Sequence, residues 1–159
     1  MRKTKNKRHK APSFQSSRAG NEKFTPIYDS MLYSTAFKSL TNRQKLLLVY
    51  MNSKYGGANA KNHPENNPKA FYFNRHIYKD ELLLYTNDSH FARDRDALIE
   101  KGFIICLDCG VNTRTKAVYR YSDMWQNYGT DRFYIDPKYM TVSLLNKLKK
   151  AENQPEEEM

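Results

Sequence analysis

The stretch from Asn87 to Asp108 does most to limit what this chain can form. Asp88 to Lys101 carries Phe91, Leu98 and Ile99 at helical spacing behind a capping residue, Asn87, and the pattern stops at Gly102. With no linker, Phe103, Ile105 and Leu107 then alternate with Ile104, Cys106 and Asp108, the period of a strand. Thr115 to Tyr121 is a second β-prone run, so the two pair as a hairpin whose tip is Cys109 to Arg114. A helix that runs straight into a hairpin must share one core with it, which makes the chain α+β.

Upstream, Ile27, Met31, Leu32, Ala36, Phe37 and Leu40 recur at mixed spacing over Phe24 to Leu40, suiting a short strand or arm followed by a helix. Thr41 and Gln44 form a capping box for a helix over Asn42 to Tyr55, which is expected to bury Leu46, Leu47, Val49 and Tyr50 and to stop at Gly56-Gly57. The polar stretch Ala58 to Lys69 reads as a loop leading into a short strand at Phe71-Tyr72-Phe73. Asn74 caps a helix running to about Leu83, and Tyr85, Thr86 and Asn87 make the turn before the next. Downstream, Ser122 caps a short helix with Trp125 and Tyr128. Asp136-Pro137 opens a last helix with Met140, Val142, Leu145 and Leu148, a stripe suited equally to core packing and to a homodimer face.

Charge then limits function. The 159 residues carry 27 Lys+Arg against 17 Asp+Glu, a net +10 that points to a polyanionic partner. Residues 1–23 are rich in Lys/Arg, Ser and Asn with one large apolar residue, Phe14, so they form a disordered basic arm. Residues 152–159 are an acidic tail with four glutamates. The longest apolar run, Leu46 to Met51, is far too short to cross a membrane, and no signal-peptide apolar region opens the chain, so a cytoplasmic protein with no membrane partner is expected. The two cysteines, Cys106 and Cys109, are expected to be reduced thiols.

Helix, turn, helix and hairpin in that order are the layout of a winged helix-turn-helix: a helical core with a small antiparallel β-hairpin wing, here behind the basic arm. The residues agree. Tyr28-Asp29-Ser30-Met31, Leu40-Thr41, Gln44 to Tyr50, Lys54 to Gly57, Leu98 to Ile104, and Tyr119 to Ser122 with Trp125 resemble the winged-helix domains of plasmid replication initiators. They are similar as well to small helix-turn-helix proteins of plasmids and integrative conjugative elements of Gram-positive bacteria. The resemblance spans about residues 24–129 and leaves 130–151 as a C-terminal helical extension. It implies a non-catalytic protein that binds double-stranded DNA and marks an origin of transfer or replication, as a relaxosome accessory or initiator-like factor, beside a relaxase or replication initiator and as a possible homodimer on DNA. The same fold also serves transcription regulators.

On the recognition helix, Asp88 to Lys101, inward Phe91, Leu98 and Ile99 turn Ser89, Ala92, Arg93 and Asp96 outward and leave Asn87 and His90 near the exposed first turn. Asn87, Ser89, His90 and Arg93 are the candidates to read bases, because Asn and Arg can bond adenine and guanine bidentately. Arg95 fills an expected apolar slot; its stem covers the core while its head reaches Asp94, Asp96 or a phosphate, so it is left out of that set. Asn112, Thr113, Arg114, Lys116 and Arg120 on the hairpin offer donors for DNA backbone, and Arg2, Lys3, Lys5, Lys7, Arg8 and Lys10 of the arm can track phosphates.

Other signals point nowhere. Cys106 and Cys109 supply two of the four ligands of a zinc site, so neither metal nor cofactor is expected unless a dimer shares the pair. His9, His63, His76 and His90 are scattered, no phosphate-binding glycine loop or nucleophile elbow is present, and adjacent Asp80-Glu81 point to different sides of a helix, so no enzyme is expected. Phe71, Tyr72 and Phe73 suit core packing better than stacking on bases, the feature that a single-strand or RNA-binding protein would use.

Overall fold

The computed structural model describes residues 25–55, 64, 67–108 and 116–153. The basic arm, Gly56-Gly57, the Cys109 to Arg114 tip and all of the acidic tail beyond Asn153 lie outside them. The described residues form an α+β unit of helices and one three-stranded antiparallel sheet.

Residues 25–40 form two single helical turns, α1 (Asp29–Leu32) and α2 (Thr35–Lys38), and no strand. The expected single helix breaks at Ser34, whose hydroxyl donates to the Met31 carbonyl at 2.7 Å and accepts from the Phe37 amide at 3.1 Å, closing one turn and capping the next. Helix α3 (Asn42–Asn52) has the expected capping box, with the Thr41 hydroxyl on the Gln44 amide and the Gln44 side chain on the Thr41 amide at 2.9 Å. It ends three residues before Tyr55. Its buried residues are Leu47, Leu48 and Met51, while Leu46 is exposed and Val49 and Tyr50 are half-buried. The apolar run is continuous, so its inward face is set by what packs on it, not by its own pattern.

Strand β1 (Ala70–Tyr72) follows, then a turn of π-helix over His76–Glu81. Asn74 accepts from the Ile77 amide at 3.2 Å, as its capping role requires, but the segment closes on the wide bond from the Leu82 amide to the Ile77 carbonyl at 3.0 Å. Leu83 then takes a left-handed conformation, φ 48°, which points its own side chain to solvent while Leu82 and Leu84 pack on the core. Helix α4 (Asp88–Glu100) stops at Gly102, φ +78°, where a Cβ would lie 2.8 Å from the Trp125 backbone nitrogen.

Strands β2 (Ile104–Asp108) and β3 (Val118–Tyr121) pair as the hairpin expected, with an irregularity between Cys106 and Asp108, and β1 adds to β3, giving the order β1-β3-β2. Phe103 to Cys106 are all buried, so the alternation read from the sequence does not mark a wet face. The inner face carries Phe71, Tyr119, Cys106 and Ile104 into the core with Leu47, Leu48, Met51, Phe91, Leu98 and Ile99. Ala70 and Ile105, register neighbours of Arg120, are buried on the outer face beneath the Pro137–Tyr139 turn.

Ser122 accepts from the Met124 amide and starts a short 3-10 turn, Met124–Asn127, with Trp125 buried. The last expected helix is split. Asp136-Pro137 opens only the 3-10 turn, and α5 (Val142–Glu152) begins afresh at Thr141, whose hydroxyl accepts from the Leu144 amide. Leu144 is the buried residue of α5; Val142 is exposed, Leu145 is half-buried, and Met140 and Leu148 pack against the core. The fresh start turns Leu144 inward instead of Val142. Among the described residues no helix is long and apolar enough to cross a membrane.

Candidate nucleic-acid interface

Helix α4 is positioned from both ends. Asn87 sits in extended conformation and its side-chain oxygen accepts from the Ser89 amide and the Ser89 hydroxyl, both at 2.8 Å. That cap occupies the acceptor Asn87 needs for a bidentate bond to adenine and leaves its amide donors. Asp88 favours the positive end of the helix dipole and accepts from Arg75 at 3.1 Å and from the Tyr78 hydroxyl at 3.2 Å, which ties α4 to the π-turn. Burial, with Asp88 beside it, pushes the Tyr78 phenol up to about 12.

Three side chains lock the inner half of the helix. Asp94, buried, accepts from Arg43 and Gln44 of α3 and, at 2.9 Å, from Tyr85 of the preceding turn. Burial alone would raise this carboxyl, but the Arg43, Tyr85 and Gln44 donors outweigh it and hold it below its ordinary value. Burial and Asp94 together push the Tyr85 phenol up. Asp96 was expected to face outward and is buried instead, because Arg95 at 2.8 Å, Thr141 at 2.6 Å and Ser143 all converge on it where α5 begins. The Arg95 head reaches a carboxylate, as its sequence position implies: its guanidinium donates to Asp96 and Ser143, with its central carbon 5.8 Å from the Phe91 ring centroid.

With the inner face so committed, Ser89, His90 and Arg93 project into solvent from one face, with Ala92 half-buried among them. Among the described residues, neither His90 nor Arg93 has a hydrogen-bond or ion-pair partner. Next to this face, a cleft of about 470 Å³ separates the helix pair from the start of β3. Arg75, Asp88, Ala92, Arg95 and Lys116 line it. Sequence reasoning missed Arg75: it stood only as the neighbour of a cap, and its place beside α4 follows from the bend of the π-turn.

The hairpin candidates divide. Lys116 is exposed at the cleft, whereas Arg120 lies on the outer face of the sheet, its guanidinium 5.5 Å from the centroid of Tyr139. Asn112, Thr113 and Arg114, and the arm residues Arg2 to Lys10, are outside the described residues. Cys106 is buried in the core, and Cys109 lies outside the described part. Among the described residues no group of His, Cys, Asp and Glu is arranged to hold a metal ion. Phe71 and Phe73 are buried and Tyr72 is exposed.

The structure thus defines a small α+β protein with one outward polar helix face beside a cation-lined cleft. No protein-family model, curated protein or solved structure matches the chain.

Proposed function

We propose that this chain is a winged helix-turn-helix protein that reads double-stranded DNA, without chemistry of its own, and works in the cytoplasm for a mobile genetic element. The π-turn, the Leu82 to Asn87 turn and α4 supply the helix-turn-helix, and β2-β3 supplies the wing, its far strand bonded to a strand that precedes both helices. The observation that carries the reading is Arg93: a cation exposed and, among the described residues, unpartnered in the middle of the outward α4 face, flanked by the cleft that Arg75, Arg95 and Lys116 line. A major groove admits such a helix, with Ser89, His90 and Arg93 at base edges and the cleft cations at the flanking phosphates.

The likeness of its motifs to those of plasmid and conjugative-element proteins supports a task at an origin of transfer or replication, in company with a relaxase or replication initiator. Selection of the full chain against random duplexes at near-physiological salt, with single strands and RNA as competitors, tests it. A shared duplex motif located at an origin is the expected result; a motif at promoters would make the chain a regulator of element genes. Enrichment of no duplex would end the reading.

A further inference from the structure

We propose that the outer face of the sheet is a second nucleic-acid site, which holds the unpaired bases of a single strand. Tyr72 lies on this face, opposite Phe71, and is 40% exposed although its strand neighbours are buried. The same face carries Arg120, whose register partners are Ala70 and Ile105. The Pro137–Tyr139 turn crosses it and brings the Tyr139 ring to 5.5 Å from the Arg120 guanidinium and 4.7 Å from the Lys138 ammonium. At the other end, Lys116 stands 5.8 Å from the Tyr72 ring. The result is a row in which cation, ring, cation, ring and cation alternate, with the Asp136 carboxylate on Lys138 at 3.2 Å.

That alternation selects its ligand. A duplex keeps its base faces stacked inside and offers a flat ring nothing to stack on, whereas an unpaired strand presents base faces and phosphates at once. An acidic peptide would satisfy the cations and leave Tyr72 and Tyr139 unused. The rings sit on the side of the sheet away from Phe71 and Tyr119, and although Lys116 is shared with the cleft beside α4, variants at Tyr72 and Tyr139 test the site separately from the reading of α4.

The test uses the full-length chain with fluorescent oligonucleotides of about 15 residues, oligo-dT and oligo-rU, and a duplex as control. Both single strands are expected to bind, and any preference between them identifies the natural source as DNA or RNA. Tyr72→Ala and Tyr139→Ala should each weaken single-strand binding about tenfold, Tyr72→Phe should retain it, and duplex affinity should stay within about twofold. Arg93→Ala should show the reverse pattern. Tyr72 is a solvent-facing ring, so Tyr72→Ala leaves the fold intact, and a melting curve checks this for both variants. Unchanged single-strand affinity in the two alanine variants overturns the proposal, as does a folded wild-type chain that binds neither oligonucleotide. Displacement of the strand by oligoglutamate that binds the alanine variants as tightly as wild type would assign the face to an acidic peptide instead.

Discussion

Asp94 is the residue on which three elements depend. Its carboxylate is the shared acceptor of Arg43, Gln44 and Tyr85, so removing it leaves a buried phenol and a half-buried guanidinium without their partner. Asp94→Ala should cost about 1–3 kcal/mol in chemical denaturation. The donors hold its folded-state value below the unfolded one of about 3.9, so the unfolded chain binds more protons in between. Its contribution is therefore full at neutral pH and is lost as pH falls below about 4 and through the folded value. Asp94→Asn should lower stability at pH 7 and flatten the acid limb of a stability-against-pH curve; an unaltered limb would remove Asp94 from the account. Gly102 is the second such position. A side chain there meets both a positive φ and the Trp125 backbone, so Gly102→Ala should destabilise by more than about 1 kcal/mol, read from the urea midpoint.

Among the elements, α4 is oriented by its neighbours. Asp88 fastens its start to Arg75 and Tyr78, and Asp96 fastens its middle to Thr141 and Ser143 where α5 begins. Thr141→Ala removes both a helix cap and a donor to a buried carboxylate and should cost about 1–3 kcal/mol in thermal or urea unfolding. With the orientation fixed, the outward face can be tested for reading DNA. Arg93→Ala should lose about 1–3 kcal/mol on the selected duplex and relax preference at one position, while Lys116→Ala should weaken all duplexes alike and lower the salt slope by about 1. Equal, sequence-blind losses in both would exclude α4 as the reader.

At the scale of the molecule, the described residues place cations on two different kinds of surface. One is a helix face with exposed Arg93 beside a cleft where Lys116 is exposed and Arg75 and Arg95 are ion-paired with Asp88 and Asp96; the other is a sheet face where cations alternate with rings. The core lies between them, in one layer of helices packed on the inner side of the sheet, and it is dense in aromatic pairs such as Tyr78 and Phe91, whose rings stack with centroids 3.8 Å apart. Such a core holds both surfaces at fixed positions. Lys116 borders both, lining the cleft and standing over Tyr72, whereas a substitution at Arg93, Tyr72 or Tyr139 is expected to affect one surface and leave the other unchanged.

Local signals were legible wherever one residue type answers a local need. Thr41 with Gln44, Asn74, Asn87, Gly102 and Ser122 each satisfy or release nearby backbone groups, so the starts of α3, the π-turn and α4 and the end of α4 could be read directly, and so could the hairpin and the outward Ser89, His90 and Arg93, whereas the fresh starts at Ser34 and Thr141 were not. What packs against what was not legible. Leu46 to Met51 is apolar throughout and offers no period to choose a face, so contact with α4 decided that Leu47, Leu48 and Met51 go in. Asp96 looked outward on a helical wheel and is buried because a threonine and a serine 45 and 47 residues away supply its hydrogen bonds. Arg75 reached the cleft only through the π-turn, and Arg120 went to the outer face through the register of β3. Sequence alone determined the caps at Thr41, Asn74 and Asn87, the stop at Gly102 and the run of helix, turn, helix and hairpin, because those interactions reach only a few residues along the chain. The tertiary structure decided which side of each element is buried and which charges are free, because burial and pairing depend on residues distant in sequence.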